Sequence, residues 1–188
     1  MRNLWVTIFL FTVSAVYAAD NTDSRKFPDD RNQSFLLGLG GNYPIVDSAN
    51  EFGPSIYHPI VGVRHLTENW VLGLSMHFKF FNEKADNSRL AIWALEEETS
   101  YRIRLYHPFY MLTGIKFLYL YPVQGGVYPL RRSSDYNPEV GIAATVSFLY
   151  FLSQQTALGV YTDLWRGTAS RTLEGIETGV HFMFPTTF

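Results

Sequence analysis

Residues 172–188 read TLEGIETGVHFMFPTTF. Ile176, Val180, Phe182, Phe184 and Phe188 share one parity; Gly175, Glu177, Gly179 and His181 share the other. A period of two predicts a strand with one apolar face and one small-or-polar face. The rest of the chain repeats this pattern seven times.

Upstream, alternation predicts strands over residues 34–42, 55–65, 70–81, 89–105, 109–121, 137–151 and 156–165. In the third, Trp70, Leu72, Leu74, Met76, Phe78 and Phe80 oppose Val71, Gly73, Ser75, His77 and Lys79. In the fourth, Trp93, Leu95, Tyr101, Ile103 and Leu105 oppose Glu96, Glu98, Ser100, Arg102 and Arg104. Connections alternate in length: 67–69, 106–108 and 153–155 are tight, while 44–54, 82–88, 122–136 and 166–171 are longer. Short turns on one side and long loops on the other belong to an up-and-down barrel.

The glycines choose a side. Gly38, Gly40, Gly62, Gly73, Gly114, Gly141, Gly159, Gly175 and Gly179 share the parity of the polar residues. The interior of an eight-stranded barrel is just wide enough for side chains, so small residues must alternate there with long polar ones. The bulky apolar face therefore points outward, to lipid. A closed barrel suits that setting because it pairs every backbone group. The expected fold is all-β: an eight-stranded, antiparallel, monomeric transmembrane barrel over 34–188, with short periplasmic turns and longer extracellular loops. Trp70, Tyr106, Phe109, Phe148, Tyr150, Phe184 and Phe188 are expected at the inner membrane–water interface, and Tyr43, Tyr119, Tyr121 and Tyr136 at the outer one.

Bulk composition agrees. The 188 residues allow one domain. Charged residues make up 17% and aromatics 16%; the first figure lies below the ~25% usual in soluble domains. A net charge of −2 argues against nucleic acid as a partner. Absence of cysteine excludes disulfides, thiol chemistry and cysteine-ligated zinc. The leader has a positive start at Met1-Arg2-Asn3, a short apolar run over 4–13 and small residues for cleavage near Ala18. Residues 1–18 therefore read as a secretory signal peptide, and the polar segment 19–33 as a disordered lead-in.

A terminal aromatic closing an alternating strand resembles the sorting signal of bacterial outer-membrane barrels; Val180, Phe182, Phe184 and Phe188 would carry it. With leader and alternation, the chain resembles the small eight-stranded outer-membrane barrels of the outer membrane protein A and X type, with protein W as a cousin. The resemblance implies the outer membrane of a Gram-negative bacterium. The implied partners are outer-membrane lipid and lipopolysaccharide, with barrel-assembly machinery and periplasmic chaperones during biogenesis. Another envelope protein is a further candidate.

The inward parity collects Arg64, His77, Lys79, Glu96, Glu98, Arg102, Arg104, Lys116, Glu139, Asp163, Glu177 and His181. Buried charges must be paired and hydrogen-bonded, so these residues are expected to plug the lumen with salt bridges, Glu98 across from Lys116 and Glu96 near His77 and Lys79. That implies a structural or interaction role: envelope integrity, or surface or partner contact. A narrow channel for small or apolar solutes is one alternative. A lipid A-modifying enzyme is another. Against the enzyme, the His-x-Ser pair of the deacylase type is absent, since His77 is followed by Phe78 and Lys79. Ser75 and His77, with Glu96 near, form only a reversed echo of it. No catalytic residues, metal ligands or cofactor are therefore assigned. In the loop 122–136, Arg131 and Arg132 suit the anionic phosphates of lipopolysaccharide.

Two residues fit badly. Pro59 lacks a ladder donor and calls for a bulge. Glu97 takes the outward parity and is expected above the hydrocarbon, since its strand exceeds the ~9–11 residues a span needs.

Overall fold

Alternation becomes eight long strands in the computed structural model, which describes residues 33–67, 69–84, 89–123, 138–152, 156–168 and 173–185. The staves are β1 (Gln33–Pro44), β3 (Ser55–Leu66), β4 (Trp70–Glu83), β5 (Arg89–Tyr106), β6 (Phe109–Pro122), β7 (Glu139–Phe151), β8 (Ala157–Gly167) and β9 (Glu174–Pro185). Gln33, expected in the lead-in, already belongs to β1. The leader 1–18, Arg131, Arg132 and Phe188 lie outside the described residues.

Each stave pairs antiparallel with its neighbours, and β4–β5 and β1–β9 pairing completes the ring. Partners can be followed around it: Ala94 to His77, Ile60, Gly38, His181, Gly159, Leu149, Tyr110 and finally Arg104. The circuit leaves β5 at Ala94 and returns to it at Arg104, ten residues along. That stagger tilts the strands about 40° from the barrel axis.

The faces look the way the glycines indicate. Leu72, Leu74, Phe117 and Phe182 are 51%, 45%, 49% and 39% exposed. Lys79, Arg102 and Glu177 are 1%, 6% and 0% exposed. In water this inside-out pattern would leave a belt of apolar side chains solvated; in hydrocarbon it is the stable arrangement. Aromatic pairs bracket the belt. Trp70–Tyr101 (5.2 Å) and Phe109–Tyr150 (4.9 Å) lie toward the tight-turn end, and Trp93–Tyr121 (5.6 Å) toward the loop end.

The tight turn between β3 and β4 is clasped by Thr67: its N–H donates to Trp70 O (2.7 Å), and its hydroxyl accepts from Trp70 N–H (2.9 Å). The first long connection folds back on the barrel. A single helical turn, α1 (Ser48–Glu51), leads into β2 (Phe52–Gly53), which pairs with Asn82 and Glu83 of β4. Phe52 inserts into the barrel mouth and packs edge-on against Phe81.

Both awkward residues find explanations. Pro59 sits where one ladder ends and next to an irregularity in the other: the β1–β3 register shifts between Gly40–His58 and Asn42–Ser55. The β3–β4 ladder runs from Leu66 to Ile60 and stops there. On its other edge Pro59 stays opposite Leu39 of β1. Glu97 does not lie above the hydrocarbon. It is exposed, opposite Leu74 on β4 and Phe117 on β6. On β5 it lies four residues from Trp93 and four from Tyr101, midway between the aromatic pairs. At ~3.4 Å per residue each is about 13 Å away along the strand, within a belt about 25 Å tall.

Candidate functional site: a charged layer inside the barrel

Strand parity aims one side chain in two at the axis, and six staves deliver titratable groups to the middle of the barrel. β3 contributes Arg64; β4, His77 and Lys79; β5, Glu96 and Glu98; β6, Lys116; β8, Asp163; and β9, Glu177 and His181. All nine are buried. Glycine makes the room. A Cβ on Gly159 would lie 2.2 Å from His181 Nε2, and one on Gly40 would lie 2.1 Å from the Tyr161 hydroxyl.

The contacts form one continuous network. Arg64 donates to Glu98 Oε2 through Nη2 (2.7 Å) and Nε (3.0 Å), and its Nη1 reaches His181 Nε2 (3.3 Å). Ser100 donates to the other Glu98 oxygen (2.7 Å). Lys116 joins Asp163 (2.5 Å) to Glu96 (3.3 Å). Lys79 joins Glu96 (3.0 Å) to Glu177, to which it bonds directly. His77 lies between the same two carboxylates, Nε2 3.1 Å from Glu96 and Nδ1 3.2 Å from Glu177. Tyr161 donates its hydroxyl to Glu177 (3.0 Å). Each ammonium also lies near an aromatic ring: Lys79 is 5.3 Å from the Trp165 ring centroid and Lys116 is 5.4 Å from that of Tyr161. Such contacts stabilise desolvated cations.

The structure thus brings together nine of the twelve inward residues expected from parity. Arg102 is buried, and its backbone N–H donates to Asn69 O (2.8 Å). Arg104 lies half-buried at the tight-turn end, beside a bulge. Glu139 is half-buried at the loop end, packed against Gly167. Glu98 pairs with Lys116 in register, yet its carboxylate turns to Arg64 while Lys116 turns to Asp163 and Glu96.

Parity alone misses what borders this layer. Leu36, Leu66, Val71, Tyr110, Leu112, Leu149 and Met183 form an apolar cluster toward the turn end. Phe52, Phe81, Leu90, Ile92, Leu118, Leu120 and Trp165 form a second toward the loop end. The order is visible along β6, whose inward side chains run Tyr110, Leu112, Lys116, Leu118, Leu120. Within the charged layer, a cavity of about 10 Å³ beside Arg64, Ser75, His77, Glu98 and His181 has room for about one water.

His77, Glu96 and Glu177 could bring three ligand atoms within 4.8 Å of one another, but the Lys79 ammonium already bridges the two carboxylates. Ser75 Oγ lies 3.3 Å from His77 Nε2, and the far ring nitrogen faces Glu177. This has the outline of a serine–histidine–acid triad. In such a triad Nε2 is open to take the hydroxyl proton. Here Nε2 also faces the Glu96 carboxylate, an acceptor, which calls for an N–H at that position.

No protein-family model matches the chain, and no curated protein does. Among solved structures it is similar to Neisserial surface protein A, with 9% identity, 80% of this chain and 96% of that one covered, and a TM-score of 0.59. It also matches the outer membrane protein Ail of Yersinia pestis at 9% identity, covering 82% and 99% of the two chains with a TM-score of 0.48. The N-terminal β-barrel domain of Pseudomonas aeruginosa OprF matches at 13% identity, covering 83% and 100% with a TM-score of 0.43. The fold likeness rests on the first of these. Lipid-facing belt and shared fold together describe a closed, eight-stranded, antiparallel β-barrel of the membrane-spanning kind.

Proposed function

We propose that this chain is an integral outer-membrane barrel of a Gram-negative bacterium with a structural or interaction role, its lumen plugged and non-conducting. The observation that carries the reading is the layering: nine buried titratable residues between two apolar clusters. A permeating ion would have to shed water at each apolar layer and displace a paired charge between them. Protein reconstituted into planar bilayers is expected to give current indistinguishable from the bare membrane, and Lys116→Ala to do the same. Discrete conductance steps in the parent protein would overturn the reading.

The interaction role rests on the outer loops, where Arg131 and Arg132 would meet lipopolysaccharide phosphates. Their joint replacement by alanine is expected to weaken lipopolysaccharide binding and raise detergent sensitivity. Unchanged values would remove lipopolysaccharide as a partner. Assembly would depend on the last strand, where Phe182 and Phe184 face outward; with Phe188 and Val180 they would be read by the barrel-assembly machinery.

The lipid A-modifying alternative draws on Ser75, His77 and Glu177 alone. Two apolar clusters stand between that group and either end of the barrel. Lipid A whose mass is unchanged after overexpression is the expected result.

A further inference from the structure

The lipid-facing wall is apolar at mid-height except on two opposite sides. On β5, Glu97 projects outward between Leu74 and Phe117, with Thr99 exposed two residues along the same face toward the tight-turn end. Among the described residues no cation or hydrogen-bond donor is found on its carboxylate. A carboxylate facing acyl chains at that depth lacks the solvation it has in water.

On the opposite wall, Thr162 of β8 and Thr178 of β9 also project outward. β9 is four staves from β5 in either direction. When the ten-residue stagger is distributed over eight strands, Glu97, Thr162 and Thr178 fall within about one residue's rise of one another, ~3 Å. The Thr178 hydroxyl donates to Tyr161 O (3.0 Å). The Thr162 hydroxyl has only a long contact, 3.4 Å to Thr178 Oγ1. One wall therefore carries an unsatisfied acceptor, and the other a weakly engaged donor at the same depth, whereas Thr99 on the acceptor wall lies two residues off that depth.

We propose that the occupant of the Glu97 face is the Thr162–Thr178 face of a second copy of this chain. The Thr162 hydroxyl of one barrel donates to the Glu97 carboxyl group of the next. Leu74 and Phe117 pack beside the contact and exclude lipid from it. Acceptor and donor sit on opposite walls, so the contact is head-to-tail and does not close. It builds rows of barrels in the membrane plane, an assembly that a plugged lumen does not itself require.

The chain contains no cysteine, so disulfide mapping reads the contact directly. Leu95→Cys places a thiol one outward position from Glu97, and Leu164→Cys places one beside Thr162 at matching height. Both substitutions face lipid. The two proteins, each folded as judged by its mobility on unheated gels, are mixed in one set of phosphatidylcholine vesicles and oxidised. The mixed 95–164 disulfide is expected to exceed either self-disulfide several-fold. Glu97→Leu or Thr162→Val added to the reporters is expected to reduce it to the level of the self-disulfides. Glu97→Gln, which keeps a carbonyl acceptor, is expected to retain it. A dominant 95–95 product would establish a two-fold contact instead and overturn the proposal. So would a mixed disulfide insensitive to Glu97→Leu, which marks random collision, or the absence of any disulfide, which marks a face that meets lipid alone.

Discussion

Arg64 grips Glu98 across the barrel interior, with Nη2 and Nε both on the same carboxylate oxygen at 2.7 and 3.0 Å. The two residues come from staves that are not neighbours, since β4 lies between β3 and β5. The bond spans that stave because Gly73, opposite Glu98, has no side chain in the way. Removing one partner leaves the other buried without its counter-charge. Arg64→Ala is expected to lower unfolding stability by about 3–5 kcal/mol, measured by urea titration in vesicles. The double replacement Arg64→Met with Glu98→Leu should recover most of that loss, because an apolar pair of similar volume does not need compensation. Additive losses would mean that the pair itself, rather than its desolvated remnant, carries the energy.

Phe52 is the stopper of the loop end, and it belongs to a loop rather than to a stave. Phe52→Ala should cost at most about 3–5 kcal/mol and expose the loop around α1 to protease. Membrane current should nonetheless stay at baseline, since the cluster around Leu112 and Met183 at the other end is untouched. Recordings on the variant check this; channel activity on loss of Phe52 alone would show that one apolar layer bears the whole barrier.

Two glycines should respond oppositely to alanine. At Gly114 the new Cβ would lie 2.1 Å from Thr99 O and 2.5 Å from Ser100 Cα, both backbone atoms that cannot swing aside. A loss of about 3 kcal/mol, or failure to fold, is expected. At Gly53 the nearest atom is 3.7 Å away, so alanine should change stability by less than about 0.5 kcal/mol. Folding yield and urea midpoints compare the two.

Glu97→Leu should stabilise the isolated barrel. Basic residues facing lipid at mid-depth cost about 2–4 kcal/mol and acidic ones less, so a gain of about 1–2 kcal/mol is expected in dilute vesicles, where barrels do not meet. No gain, or a loss, would mean that the carboxyl group is already satisfied within one chain.

Legibility from sequence tracked how local the controlling physics was. Each stave was readable because alternation is a property of neighbours: His77 and Lys79 look inward whatever they pair with. Register across a tight hairpin is readable too, since counting from the turn sets Glu98 opposite Lys116 and Glu96 near His77 and Lys79; depth in the membrane is not, because it depends on the stagger of the whole ring. Glu97 was misplaced for that reason: β5 spans 18 residues, and only pairing with β4 and β6 shows which part of it crosses the belt. The apolar clusters are hidden in the sequence for a different reason. Leu112, Leu118 and Leu120 share parity with Lys116, and a face sorted as small or polar by its glycines hides large apolar members. Tyr161, which bonds to Glu177, was on the inward face in plain view, but nothing in its local pattern marks it as a partner in the network. The fold of 45–53 onto the mouth left no periodic trace, because one helical turn and a two-residue strand are too short to have a period.

The seam between β1 and β9 joins the two ends of the sequence order. Until β9 has been synthesised, β1 and β8 each present a bare edge, and no intermediate hairpin array can enter hydrocarbon without orphaned amides. A chain still lacking its last stave therefore cannot yet be a membrane protein. The calibre of the ring is decided in one late event, when the youngest stave meets the oldest.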